Sequence, residues 1–397
     1  MNRNHTRALR ALIFVVLFVV LACAFAVSAA EKTVYLGASG TPETGDGSAT
    51  RPFSTLAAAI GAVCDGGRII VTETYTVTER DAVVDGMPRL VEPTHAGKIT
   101  VTSLDGTQDY RSSGACIYFP KTYVYESGGD LCFENVTLKN DAAPIYLAGN
   151  FHALVFGDGF SVENTKGSAK YLYAIGGYYA PRSKDLPTDR DAHITIENGD
   201  FARVIAFGMG KGAATYTFTG TAHITVRGGH IDRIFGGSAL NHYSGGLDMQ
   251  IYDGSIGDIF TSGDATRRTL GDAKVGLYGG AMRTLYINNM LGSTEVTLDG
   301  IQLSGIQVTY GSEQIQNLAY GKTIRLRYNS LLYTTDFASA VKGITEFERF
   351  GTLYVAAGTN GDGSREKPLG NLADAVRQLA DGGGDIMIVG NYTAKNF

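Results

Sequence analysis

A degenerate repeat constrains this chain more than any other feature of it. An apolar-x-apolar triplet, a few turn residues and an apolar-x-x-apolar quartet recur as Ile194-Thr195-Ile196 with Phe201 and Val204. The same pattern returns as Ile224-Thr225-Val226 with Ile231 and Ile234, and as Met249-Gln250-Ile251 with Ile256 and Ile259. Val275-Gly276-Leu277 with Met282 and Leu285, and Val296-Thr297-Leu298 with Leu303 and Ile306, continue it. Successive starts lie 30, 25, 26 and 21 residues apart. Earlier relatives are Leu131-Cys132-Phe133 with Val136 and Leu138, and Ile99-Thr100-Val101. A unit this short cannot bury its own apolar edge, so the repeats must stack, one coil per repeat. Each rung then lies roughly 4.8 Å above the last, and the inward positions form columns of Ile, Val, Leu and Phe.

Two places past each triplet stand Asn135, Asn198, Gly228, Asp253, Gly279 and Gly300. These residue types accept a left-handed backbone cheaply, so each is expected to make the sharp bend between two strands. Composition agrees with many short strands joined by glycine turns: 52 Gly, 9 Pro and only 18% charged residues.

A second regularity is a phrase stated twice. Val34-Tyr35-Leu36, Gly45-Asp46-Gly47-Ser48, Pro52-Phe53, Leu56, Ala59-Ile60, Asp65-Gly66-Gly67 and Ile69-Ile70-Val71 form the first copy. Leu353-Tyr354-Val355, Gly361-Asp362-Gly363-Ser364, Pro368-Leu369, Leu372, Ala375-Val376, Asp381-Gly382-Gly383 and Ile386-Met387-Ile388-Val389 form the second, displaced by 316 residues from Gly45 to Gly361. Leu56, Ala59, Ile60 and Val63 follow helical spacing, as do Leu372, Ala375, Val376 and Leu379. The terminal coil of a solenoid exposes an open core and an unpaired strand edge, and an amphipathic helix laid over it covers both. The turns at Asp46 and Asp362 offer one carboxylate each, far fewer oxygens than calcium takes.

Cap phrase and coil pattern together resemble secreted pectate-lyase-like proteins, and also the Gly-rich solenoid repeats of bacterial surface proteins. The resemblance covers most of residues 31–350 and implies an all-β, right-handed parallel β-helix with an N-terminal amphipathic capping helix. The expected organisation is a signal peptide over 1–30, a capped β-helix over 31–350, and the cap and first strand of a second, incomplete β-helix over 351–397. A cap needs a coil to cover, so the chain is expected to be the front part of a longer multi-solenoid protein.

Arg3, Arg7 and Arg10 precede an uncharged stretch, Ala11 to Ala30, that ends in Ser28-Ala29-Ala30. That pattern fits a cleaved secretory signal, with an uncleaved membrane anchor as the alternative, and implies a secreted or cell-surface protein. A formal net charge of −5 and the lack of any basic run argue against nucleic acid as a partner. Cys64, Cys116 and Cys132 read as small buried apolar side chains, with a Cys116–Cys132 pair across neighbouring coils as the alternative.

Long insertions follow the second strand of several coils and therefore share one face, a common binding face in solenoids. They carry Tyr178, Tyr179, Arg182 and Lys184; then His242 and Tyr243; then Asp264, Arg267, Arg268 and Asp272. Tyrosine rings suit the apolar face of a sugar, and Arg or Lys suits a carboxylate or sulfate. The expected function is a non-catalytic module that recognises polysaccharide or another surface ligand through these loops, without cofactor or metal.

An enzyme on acidic polysaccharide is one alternative. Arg267 or Arg268 would neutralise the uronate, His242, Tyr243 or Lys274 would act as base in a lyase, and Asp264 with Asp272, or Asp185 with Asp189, would serve a hydrolase. A structural stalk is the other. The pectate-lyase pattern of clustered calcium-binding aspartates with a nearby arginine base is missing from the sequence. His152, His193 and His223 each stand at the entry to an apolar stretch, and if the coils at 194 and 224 are neighbours, His193 and His223 stack as a side-chain ladder.

Overall fold

A computed structural model describes residues 31–38, 45–78, 82–141, 143–167, 171–179, 189–209, 217–238, 242–243, 245–263, 271–288, 292–310, 313–314, 323–333, 341–379 and 384–392. Residues 1–30, expected from the sequence to be a signal peptide, lie outside them. Nearly all regular structure is parallel strand, stacked into a solenoid. Among the described residues, sheet A has twelve strands, sheet B four and sheet C eleven.

The inward columns follow the repeat. In sheet A, Ile194, Ile224, Met249, Val275 and Val296 pair in register, as do Ile196, Val226, Ile251, Leu277 and Leu298. In sheet C, Phe201, Ile231, Ile256, Met282 and Leu303 align, and so do Val204, Ile234, Ile259, Leu285 and Ile306. All of these but Leu303, which packs partly buried against the others, belong to one continuous buried core. Several rungs escape the sequence pattern: Ile324–Asn329 and Glu346–Phe350 extend sheet A beyond Thr294–Leu298, and one more lies inside the series. Leu154–Phe156 forms a rung between Leu131–Phe133 and Ala192–Ile196.

Coil shape changes along the axis. Early coils are three-sided: Ile99–Thr102 in sheet A is followed by Cys116–Phe119 in sheet B and Tyr123–Glu126 in sheet C. Val136 and Leu138, expected to belong with the later quartets, instead lie at sheet B, where Leu138 pairs with Ile117 and Val162. After Ser161–Asn164, sheet B ends and coils become two-sided. One longer strand, beginning with Asp200–Ile205, then replaces two short ones. Its pairing skips Ala202, Asp232, Gly257, Arg283 and Ser304. In a straight strand, residues three apart face opposite sides. The bend at the skipped residue turns both apolar ends of the quartet inward, which is the physical meaning of its apolar-x-x-apolar spacing. Phe160, the last residue before the final strand of sheet B, stacks on Phe201 with ring centroids 6.1 Å apart, so the core is continuous across the change.

The turns correct the sequence reading. Asn135 and Gly300 do adopt positive φ, but in the coils between them the left-handed residue is one place later, at Gly199, Gly229, Gly254 and Gly280. The preceding residues have other duties. A Cβ on Gly228 would lie 2.3 Å from the Glu197 carbonyl oxygen of the coil below. Asn198 and Asp253 accept from the amides of Gly199 and Gly254 at 2.8 and 2.7 Å.

Cys116 lies in sheet B and Cys132 in sheet A, and both are free thiols, so the Cys116–Cys132 alternative fails. Each is buried, and burial pushes both thiols up.

Both copies of the cap phrase form a strand, turn, helix and strand. Helix α1, Leu56–Ala62, begins at Thr55, whose hydroxyl accepts from the Ala58 amide. Helix α2 is Leu372–Leu379. In each copy the first helical amide donates to a later tyrosine hydroxyl at 3.0 Å, Leu56 to Tyr75 and Leu372 to Tyr392. The turn carboxylates are used locally: Asp46 accepts from Ser48 and Arg51, and Asp362 from Ser364. Hydrogen bonds from Ser48, then Arg51, hold Asp46 down to about 2. The second copy lies against the turns of the late coils: Arg365 sits over the Tyr278 ring at 5.3 Å, and Asn329 donates to Asp299 and to the Thr352 carbonyl at 2.8 and 2.6 Å.

Candidate functional site

The outward side of sheet C carries two columns of side chains. Pairing alternates in and out along a strand, so the residue just after each inward Val204-type position points away from the core. One column runs Tyr146, Tyr173, Arg203, Arg233, Asp258, Thr284, and the other Ala148, Ile175, Ile205, Phe235, Phe260, Tyr286. Val124, Ala148, Ile175, Tyr179, Ile205 and Phe235 form a second buried apolar cluster on this side.

Rings in the second column stack face to face. Phe235 and Phe260 have centroids 5.1 Å apart and planes within 12°, and Phe260 and Tyr286 are 4.7 Å apart within 8°. Stacking along the axis uses the faces against neighbouring rungs and leaves the edges outward. The Arg203 guanidinium lies 5.7 Å from both the Tyr173 and Phe235 ring centroids. Arg233, one rung above and exposed, has no carboxylate partner among the described residues, and neither has Arg203. Arg283 differs: it forms a two-pronged pair with the buried Asp258 carboxylate. Two unneutralised guanidiniums on adjacent rungs repel each other, and an anion placed between them relieves that repulsion.

The insertions rise from the end of this face. Their roots stack in register, the Gly176 amide donating to Ile205 at 2.9 Å, Ala206 to Phe235 at 3.0 Å and Gly236 to Phe260 at 2.8 Å. Small residues are required here, since a Cβ on Gly177 would lie 2.1 Å from the Phe207 carbonyl oxygen. Thr217–Phe218 and His242–Tyr243 pair as short parallel strands, so the stacking continues at these positions beyond the roots.

Sequence-chosen residues fare unequally. Tyr178 is half-buried with its ring edge-on to Phe151 at 5.1 Å, and Tyr179, 6% exposed, packs on Tyr146 at 4.8 Å. Burial pushes the Tyr179 phenol far up. Tyr179 is therefore part of the packing and offers no open sugar platform. His242 and Tyr243 sit at the short paired strand. Arg182, Lys184, Asp185, Asp264, Arg267 and Arg268 lie outside the described residues.

Asp272 is at the far foot of its insertion, at the entry to sheet A, where it accepts from the Ser293 amide at 2.8 Å. Asp191 does the same for Thr221 at 2.7 Å, so these carboxylates lock one coil to the next. Asp272, Lys274, Glu295 and Arg325 line a shallow cleft of 290 Å³ there.

His193 and His223 stack as the sequence suggested, with centroids 4.7 Å apart and planes within 6°. His152 stands outside that column. Burial, then the neighbouring His223, lowers the His193 pKa.

Sequence reasoning missed the arginine and ring columns, although the signal was present: Phe235, Phe260 and Tyr286 each follow an inward aliphatic residue directly. It also missed an interior polar cluster in the three-sided coils. Buried Glu92 accepts from the Tyr125 hydroxyl, from Ser127 at 3.0 Å and from the Gly128 amide at 2.9 Å, with His95 at 3.3 Å. Arg89 and Glu126 form a separate buried ion pair on the outward side of sheet C. Each Glu92 oxygen already has partners, which marks a structural network.

Comparison with known proteins adds no assignment: no family model matches the chain, and neither a curated protein nor a solved structure does.

Proposed function

We propose that the protein is a secreted or cell-surface β-helix module, non-catalytic, that recognises an acidic polysaccharide along the outward face of sheet C. The observation that carries this reading is the Arg203–Arg233 pair, adjacent on two rungs, without carboxylate partners among the described residues and bordered by aromatic rows. A uronate or sulfate group between the two guanidiniums accepts charge-assisted hydrogen bonds from both. Ring edges and the Tyr286 hydroxyl supply polar and apolar contacts beside it. Stacked rungs repeat every ~4.8 Å, which suits a chain of repeating sugars better than a single small molecule.

Affinity electrophoresis of the full-length chain through gels cast with acidic and neutral polysaccharides tests the reading. Retardation by an acidic polysaccharide, lost in the Arg203→Ala, Arg233→Ala double variant at unchanged melting temperature, supports it. Unchanged migration in all acidic gels, or equal retardation of the double variant, overturns it and leaves a stalk as the better account. A cleared zone around the band would make the protein an enzyme.

A further inference from the structure

A separate cluster lies on the outward side of sheet A, where the two-sided coils begin. Parallel pairing in register brings His193 and His223 to the same position on neighbouring rungs. Asp191 stands at the corner just before them. One ligand atom from each of Asp191, His193 and His223 lies within 4.8 Å of the others.

Two details go beyond proximity. The Asp191 carboxylate is anchored, its Oδ1 accepting from the Thr221 amide at 2.7 Å, while Oδ2 faces His223 Nε2 at 4.0 Å. On the opposite edge of the same ring, His223 Nδ1 faces the Asp248 carboxylate at 3.7 Å, one rung further on. A carboxylate facing one imidazole nitrogen favours a proton there and leaves the other nitrogen as donor, and a hydrogen bond closed across that gap would orient the ring as in metal-ligating histidines.

We propose that Asp191, His193 and His223 form a divalent transition-metal site of the zinc class, with Asp248 as the positioning residue for His223. Two imidazoles and one carboxylate suit zinc and its neighbours. Calcium is disfavoured because it takes six or more oxygens. The three side chains are partly to largely exposed, so the rings can swing out of their parallel stack, as ligation of one ion requires, and bring the donors together. The ion would staple two neighbouring coils, and solvent would hold its remaining position. This inference stands independently of the polysaccharide reading.

The test is a cobalt(II) titration of the untagged full-length chain, followed by visible absorption. The expected result is a saturable d–d band at one equivalent, displaced by zinc, with a melting temperature that rises with zinc. His193→Ala and His223→Ala each abolish both signals. Asp248→Asn keeps the stoichiometry and weakens binding by roughly 10- to 100-fold. His193→Gln, which keeps a polar side chain of similar length, guards against misfolding: it must match the unmodified metal-free melting temperature and still show no band. Absence of the band in the unmodified chain, or the same affinity in the His193→Gln and His223→Ala variants, overturns the site.

Discussion

The three-sided and two-sided halves of the solenoid bury different chemistry behind the same sheet A. The three-sided coils enclose a polar network at the corner between sheets C and A, with Glu92, His95 and Ser127 buried, and cover the Arg89–Glu126 ion pair on the outward side of sheet C. Two-sided coils from Ala192 onward enclose columns of Ile, Val, Leu, Met and Phe and set their charges outward. In the three-sided coils that corner is a tight turn, where the Ser127 hydroxyl and the Gly128 amide meet Glu92. In the two-sided coils the same corner gives rise to the insertions, and buried polar groups lie instead at the turn from sheet A to sheet C, where Asn329 donates to Asp299. Buried polar groups thus sit where the chain turns tightly between sheets.

Substitutions can break that contrast, and the largest effect belongs to the two-sided core. Val226→Asp places an unpaired charge between Ile196 and Ile251 and is expected to eliminate soluble protein. Normal yield with an unchanged melting curve would refute the register. In the three-sided half, Glu92→Ala strands the Tyr125 and Ser127 hydroxyls, the Gly128 amide and His95 together. Removing one member of such a buried network costs about 3–5 kcal/mol, measurable by urea unfolding. A cost near zero would mean that the corner is wet and open.

The two caps sharpen the comparison at equivalent positions. Ile60 is 1% exposed and Val376 is 49% exposed, although they occupy the same place in the phrase. Ile60→Ala should cost about 2–5 kcal/mol. Val376→Ala should stay within about 0.5 kcal/mol, so equal losses would show that the second helix is covered in solution.

The smallest expected effect is a pH slope. Burial pulls the His95 pKa down, but hydrogen bonds to Glu92 and the Gly97 carbonyl, with the Glu92 charge, outweigh it and the net shift is upward. A raised folded pKa means that the protonated ring favours the folded state. That stability is fully present below the ordinary value near 6.5 and is lost as pH rises through the raised one. The melting temperature should therefore fall as pH rises above about 6.5, and His95→Gln should flatten that slope. A slope unchanged by His95→Gln would assign the dependence to another group.

Much of the candidate site was hidden for a definable reason. Alternation in the sequence tells inward from outward, so Ile234 and Phe235 could be separated by eye. Whether an outward ring shows its face or its edge depends on the ring one coil above, as Phe260 does to Phe235. Tyr178 and Tyr179 looked like open loop residues because nothing nearby in sequence announces Phe151 and Tyr146 as their packing partners. Asp272 looked like a ligand residue because its acceptor role toward Ser293 exists only between coils.

The amino-acid sequence alone determined the inward columns from Ile194 to Ile306, the stacking of His193 on His223, and two helix-bearing caps from one repeated phrase. These are matters of local period and residue type, and a strand's two-residue alternation or a helix's spacing is written into the chain itself. Only the tertiary structure decided how many sides a coil has, which residue of each turn is left-handed, and how deeply each cap is buried. Two similar phrases end with Ile70 and Val71 inside the protein and their counterparts Met387 and Ile388 about half exposed, because burial is a property of the neighbouring coil. In the first copy Ile99–Thr102 pairs against the closing strand, and no described residue does so for the second.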